Sequence, residues 1–170
     1  GLAMQLLGNS RCASGAEHHI SHLIEMQPIG LGTCSDALHG EKVGVGTLIA
    51  SREYHRIKNN PSLLHGDYLP ASEDYIANMF GERLKDSIIK ENENDCALGI
   101  TSKHIISHFE KICEIIKSIP TYEELIKIYK TLGAKLSLGD IDVSEEKLCD
   151  LLEYSPLVRN RLTLMRLRRM

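Results

Sequence analysis

Residues 37–58 read ALHGEKVGVGTLIASREYHRIK, and the reading of this stretch decides the fold. Inside it, VGVGTLI at 43–49 alternates Val with Gly, as a half-buried strand would. The alternation is short, however, and it sits inside a longer pattern. Val43, Leu48, Ile49, Tyr54 and Ile57 recur at helical spacings, and Asn59-Asn60-Pro61 supplies the stop. The spacing therefore predicts a helix over about 37–58, with His39 near its start. Gly40, Gly44 and Gly46 each cost such a helix roughly 1 kcal/mol relative to Ala. A cost of that kind points to a close approach of a backbone or a ligand.

No other stretch alternates cleanly over four or more residues, so the chain reads as all-α with about eight helices. On the N-terminal side, helices are predicted over 2–8 and 13–27, separated by Gly8-Asn9-Ser10. Ser14 and Glu17 form a capping-box pattern, and Pro28 closes the second helix. Ser35-Asp36 then offers a cap for the helix that follows. On the C-terminal side, short helices are predicted over 71–79 and 82–92, then 102–118 and 122–132. Glu123 and Glu124 suit the first turn of the last of these, and Gly133 suits its C′ position. Asp142 to Glu146 opens a further helix to about 153. The basic segment 157–170 is expected to dock its Leu residues while Arg159, Arg161, Arg166, Arg168 and Arg169 stay in water.

Composition narrows the function classes. The 170 residues are 42% hydrophobic and 25% charged, as in a soluble globular domain, and no apolar run could span a bilayer. A net charge of −3 gives no overall pull toward nucleic acid. The five cysteines, Cys12, Cys34, Cys96, Cys113 and Cys149, include no CxxC pair, which argues against a disulfide framework or a zinc knuckle. They fit a reducing cytoplasm as small buried hydrophobes. The start, GLAMQLLGNS, has no signal-peptide pattern, so a cytoplasmic location is expected.

The eight histidines carry more information. GAEHHISHLIE at 15–25 places His18 and His22 on one helical face, with Glu25 on the same side as His22 and His19 about 100° round. Such a pair can hold one divalent metal, or it can be one ligand with a polar neighbour. His104 and His108 have the same spacing beside an ordinary apolar stripe and read as structural. The first pair differs in context, because the Gly-rich stretch that opens at His39 could bring His18 and His39 together across a cleft.

NSRCASGAEHHISHLIEM at 9–26, followed by LHGEKVGVGTL at 38–48, resembles the sn-glycerol-1-phosphate dehydrogenases. These belong to the superfamily of iron-containing-type alcohol dehydrogenases, glycerol dehydrogenase and dehydroquinate synthase. The family pattern is SRPxSGxEHxxSHxxE and then HGxxVGxGT, and Cys12 stands where Pro is usual. The interval of 21 positions between His18 and His39 is similar to that between the family's metal histidines. RNRLTLMRL at 159–167 is similar to the RxRxT segment near the end of these enzymes. The implied fold is the multi-helical C-terminal domain of this superfamily, without its N-terminal Rossmann-like domain. The chain is then one helical half, with metal-motif helices in 1–60 and a helical bundle in 61–170.

The resemblance implies that His18 and His39 are metal ligands and that His22 lies in the cleft as a catalytic group. The metal would be zinc ahead of nickel or iron. The third ligand, an Asp, and the NAD or NADP site would lie in the absent domain, the partner this half requires. The implied reaction is hydride transfer between a nicotinamide and glycerol 1-phosphate, giving dihydroxyacetone phosphate or the reverse, with Arg11 available to the substrate phosphate. This half alone would be inactive, and its uncovered face favours homo-oligomers. A dehydroquinate-synthase-like or glycerol dehydrogenase half ranks lower, since Glu17-His18-His19 departs from that synthase's Gly-His-Thr. The non-enzyme alternative is a helical interaction or metal-binding module. Neither a nucleic-acid nor a membrane partner is expected.

Overall fold

A computed structural model describes residues 5–6, 8, 14–64 and 66–168. Among these there are helices and turns and no strand, so the all-α reading holds. None of the helices is long and apolar enough to cross a membrane. Seven α-helices are described: α1 (Ala16–Met26), α2 (His39–Asn59), α3 (Glu73–Glu91), α4 (Ser102–Lys117), α5 (Tyr122–Leu132), α6 (Leu148–Tyr154) and α7 (Leu164–Leu167). Single 3₁₀ turns punctuate them, of which Ser155–Val158 packs against α1.

The doubtful stretch is helical: α2 starts at His39 and runs unbroken through VGVGTLI. Its three glycines have different surroundings. A Cβ on Gly40 would meet nothing within 4 Å, and one on Gly44 would make ordinary contact with Tyr129. One on Gly46 would lie 2.6 Å from the backbone oxygen of Glu17. Only Gly46 is therefore required for a helix approach, and it lets α1 and α2 touch backbone to backbone. Their pairing is antiparallel, since Gly46 faces Glu17 while His39 reaches Glu25.

Several local expectations are corrected. α1 is capped by Gly15 rather than Ser14, because the Glu17 carboxylate folds back to accept the Gly15 N–H at 2.9 Å. Ser35 and Asp36 do not cap α2, because the helix starts only at His39 and its N-cap is Leu38, whose N–H donates to Glu41 Oε2 at 2.8 Å. The helices expected over 71–79 and 82–92 are two arms of α3, broken at Gly81 with φ 63. A Cβ there would also lie 2.7 Å from Ile29 Cγ2. α5 matches its expectation, capped by Thr121 and ended by Gly133 with φ 64. The segment after Asp142 forms a 3₁₀ turn, Glu145–Lys147, before α6 begins. The helix expected over 2–8 lies mostly outside the described residues, as does Cys12. Cys34, Cys96 and Cys149 are exposed and Cys113 is half-buried, so they are not core residues.

The main core gathers Ile20, Leu23 and Ile24 of α1, Val45 and Ile49 of α2, Phe80 of α3, and Leu151, Leu157 and Met165. α1 is its centre, buried between α2 and the turn at Ser155–Val158. A smaller cluster joins Ile57, Leu64 and Ile105.

The C-terminal segment meets its expectation in part: Met165 joins the core, Leu164 and Leu167 pack against the smaller cluster and Arg159 is exposed, but two arginines are buried. Leu162 is exposed, whereas the Arg166 side chain is 1% exposed and the Arg168 side chain 6%. Arg169 lies outside the described residues. Arg166 grips Asp95 with two nitrogens at 3.0 and 2.9 Å and donates to the Pro156 carbonyl at 2.6 Å. Asn92 supplies a further acceptor for the same guanidinium. Arg168 pairs with the buried Glu53 at 3.3 Å. A buried guanidinium is tolerable only with such a full set of acceptors. The tail thus adds buried, hydrogen-bonded charge to the hydrophobic docking that was expected.

Two predictions follow from this packing. Gly46→Ala should destabilise the fold by about 1–3 kcal/mol, while Gly44→Ala should be neutral or gain up to about 1 kcal/mol, as read from urea midpoints. Asp95→Asn should cost about 3–5 kcal/mol by leaving the buried Arg166 without its counter-charge. Burial alone would raise the Asp95 pKa, but bonds from Arg166, Tyr68 and the Ala97 N–H hold it below the ordinary carboxylate value. Its contribution is thus fully present above about pH 4 and is lost as pH falls through the lower folded value. Asp95→Asn should flatten that acid limb of the stability profile.

Candidate metal centre

α1 and α2 place three imidazoles together. His18 and His22 lie one turn apart on α1, with ring centroids 6.1 Å apart. His39, the first residue of α2, stands 5.6 Å from His18 and 5.5 Å from His22. The antiparallel contact at Gly46 brings the start of α2 beside the C-terminal half of α1, where His22 and Glu25 stand. Arg83 fixes that end of α1, donating to the Met26 and Gln27 carbonyls at 2.6 and 3.2 Å.

Each ring is held by a carboxylate. His18 Nδ1 lies 2.8 Å from Glu17 Oε1. His22 Nδ1 lies 3.1 Å from Glu25 Oε2, and His39 Nδ1 lies 2.7 Å from Glu25 Oε1. The hydroxyl of buried Ser21 sits 3.4 Å from the same His39 nitrogen. Burial works to raise the Glu17 and Glu25 pKa values. The histidine hydrogen bonds outweigh it, joined at Glu17 by the Gly15 N–H, and both carboxyls titrate below their usual range.

Donor chemistry suits a borderline divalent ion, which accepts imidazole nitrogen and carboxylate oxygen. Potential ligand atoms of His22, Glu25 and His39 lie within 4.8 Å of one another. His18 stands just outside that set, with its ring against both histidines. Beside His18 a cavity of about 420 Å³ opens, lined by Val43, Thr47, Tyr54, Ile119, Pro120 and Leu125 among others. Its far wall comes from the α4–α5 link, tied to α2 where the Ser51 hydroxyl donates to the Pro120 carbonyl at 2.6 Å. An apolar chamber of this kind beside a polar cluster is a usual form for a small-molecule site.

The remaining histidines have other surroundings. His19 is 1% exposed in the core, where burial first and the charge of Arg161 second push its pKa down to about 4. His104 is exposed and its Nδ1 accepts the Thr101 N–H at the start of α4. His108 is exposed too and bonds the His104 carbonyl. Arg11 lies outside the described residues. Sequence reasoning noted that Glu25 shares a face with His22 but did not give it two histidines. The cavity was not foreseen, because Ile119, Pro120 and Leu125 close it from a distant part of the sequence.

Comparison with known proteins bears on the same residues. A glycerol-1-phosphate dehydrogenase [NAD(P)+] of Halalkalibacterium halodurans is 28% identical over 166 residues, covering 97% of this chain and 34% of that protein. The enzyme of the same name from Bacillus licheniformis is 25% identical over 164 residues, again covering 96% of this chain. The chain is a relative of the glycerol-1-phosphate dehydrogenases. The Pyrococcus horikoshii enzyme of that name is 49% identical over a shorter match of 49 residues, 29% of this chain and 13% of that protein. The chain spans about a third of the length of the curated relatives it matches along its whole extent, consistent with a helical C-terminal portion of such enzymes. No family model matches the chain, and no solved structure does.

Proposed function

We propose that this chain is the metal-binding helical half of an NAD(P)-dependent dehydrogenase that interconverts glycerol 1-phosphate and dihydroxyacetone phosphate. The observation that carries the reading is the meeting of His18, His22 and His39 within 5.5–6.1 Å at the α1–α2 junction. Likeness to glycerol-1-phosphate dehydrogenases over nearly the whole chain supports the substrate class.

In this reading His18 and His39 hold a divalent ion, zinc ahead of nickel or iron, with a carboxylate from the nucleotide-binding half. The ion supplies Lewis acidity that polarises the substrate oxygen. His22 would take the hydroxyl proton of the secondary alcohol and return it in the reverse direction, while a nicotinamide, when bound, would supply the hydride acceptor. The apolar cavity beside His18 keeps water away from the carbon that reacts. Arg11 meets the substrate phosphate. The nicotinamide, NAD or NADP, is brought by the other half, so the chain alone does not turn over. We place the whole enzyme in the cytoplasm, as an oligomer formed through the face this half leaves uncovered, with no nucleic-acid or membrane partner.

The chain alone should bind one equivalent of Co²⁺ or Zn²⁺ in a calorimetric titration. His18→Ala and His39→Ala should each weaken that binding by about 100-fold or more, above the 10–100-fold typical of groups that only orient a ligand. Mixed with metal, nicotinamide and dihydroxyacetone phosphate, the isolated chain should show no turnover; robust turnover would refute the half-enzyme reading.

A further inference from the structure

Glu25 reaches a histidine on each of the two helices of the site. Its two carboxylate oxygens are divided between them: Oε1 lies 2.7 Å from His39 Nδ1 and Oε2 lies 3.1 Å from His22 Nδ1. A carboxylate is ionised at neutral pH by its ordinary chemistry, so it has no proton to donate. Both Nδ1 atoms must then carry the hydrogen. In a neutral imidazole that leaves Nε2 as the nitrogen with the free lone pair. Glu17 imposes the same condition on His18 from a distance of 2.8 Å.

An exposed His–Glu pair is common and by itself means little. Two features set Glu25 apart. Both of its oxygens are committed, and they are committed to different helices whose register is fixed by a backbone contact. A single side chain thus decides which nitrogen two imidazoles present.

We propose that Glu25 is a positioning residue that holds His22 and His39 together in the Nδ1–H tautomer, so that each offers its Nε2 lone pair to a divalent cation or its ligands. The inference rests on the metal reading above for its use, but the tautomer assignment stands without it. Glu25 would not need to touch the ion. It acts through the histidines, as outer carboxylates do when they fix ring orientation and raise ligand basicity.

The test is Glu25→Gln in the isolated chain, labelled with ¹⁵N at histidine and studied near pH 8. Gln keeps one acceptor oxygen and replaces the other with an NH₂ donor. One of the two rings must therefore face a donor and move its proton to Nε2. In the wild type, both His22 and His39 should show protonated Nδ1 and bare Nε2 nitrogens by long-range ¹⁵N–¹H correlation. In Glu25→Gln, one of them should change tautomer, with the helical circular dichroism unchanged. Affinity for Co²⁺ alone should fall by about 10–100-fold. If both rings keep the Nδ1–H form in the variant, or if the tautomer changes and Co²⁺ affinity does not, the proposal is overturned. If the wild type binds no Co²⁺ while the variant still changes tautomer, the metal reading fails and the assignment of Glu25 to the two rings stands.

Discussion

The main chains of α1 and α2 meet where Gly46 faces Glu17, at a separation that admits no side chain between them. Backbones that close leave little room to slide or roll, because every neighbouring side chain must interdigitate at the same distance. The register of the two helices is therefore fixed at one point. His39 follows from it: it lies about two turns before Gly46 on α2, which sets it against His22 and Glu25 on the antiparallel α1. The cavity beside His18 follows as well, since α2 supplies Val43, Thr47 and Tyr54 from the same stretch.

The arrangement at the site also explains why charge is concentrated on so few groups. Glu17 closes the first turn of α1, accepting the Gly15 N–H, and steadies His18 with the same oxygen. A carboxylate in the first turn of a helix is favoured by the helix dipole. Local helix formation and the orientation of a histidine thus depend on one residue. Glu25, at the other end of α1, joins two helices with the same economy of means.

What could be read from the chain divides by range. α5 and its ends were legible, because Glu123 and Glu124 at its start and Gly133 at its end each act within a single turn. So was the break at Gly81, and so was the helical nature of VGVGTLI, where spacing outweighed a brief alternation. The histidine triangle was legible only through two motifs taken together and a family likeness. The capping at Gly15 was missed because Ser14 is the better cap in isolation, and the side chain that closes the turn comes from Glu17 instead. The buried arginines of the tail were missed for a different reason. Arg166 finds Asp95 and Asn92 more than seventy positions away, and no local pattern announces that partnership. The far wall of the cavity, Ile119 and Pro120, is hidden in the same way.

The tail has one more bearing on how the molecule comes to be. Arg161 donates to the Ser14 carbonyl at 2.8 Å, just ahead of α1, and Met165 joins the core that α1 centres. The first described helix is thus completed by a residue 147 positions further along the chain. Contacts of such long sequence separation form late and slow the folding of a chain. On a ribosome, where synthesis runs from the N-terminus at about 5–20 residues per second, the histidine-bearing helix emerges before its cover and waits for it. During that interval its apolar face, Ile20, Leu23 and Ile24, lacks the tail's share of its lining. Until the tail is made, the segment that forms the site therefore leaves apolar surface open to a chaperone.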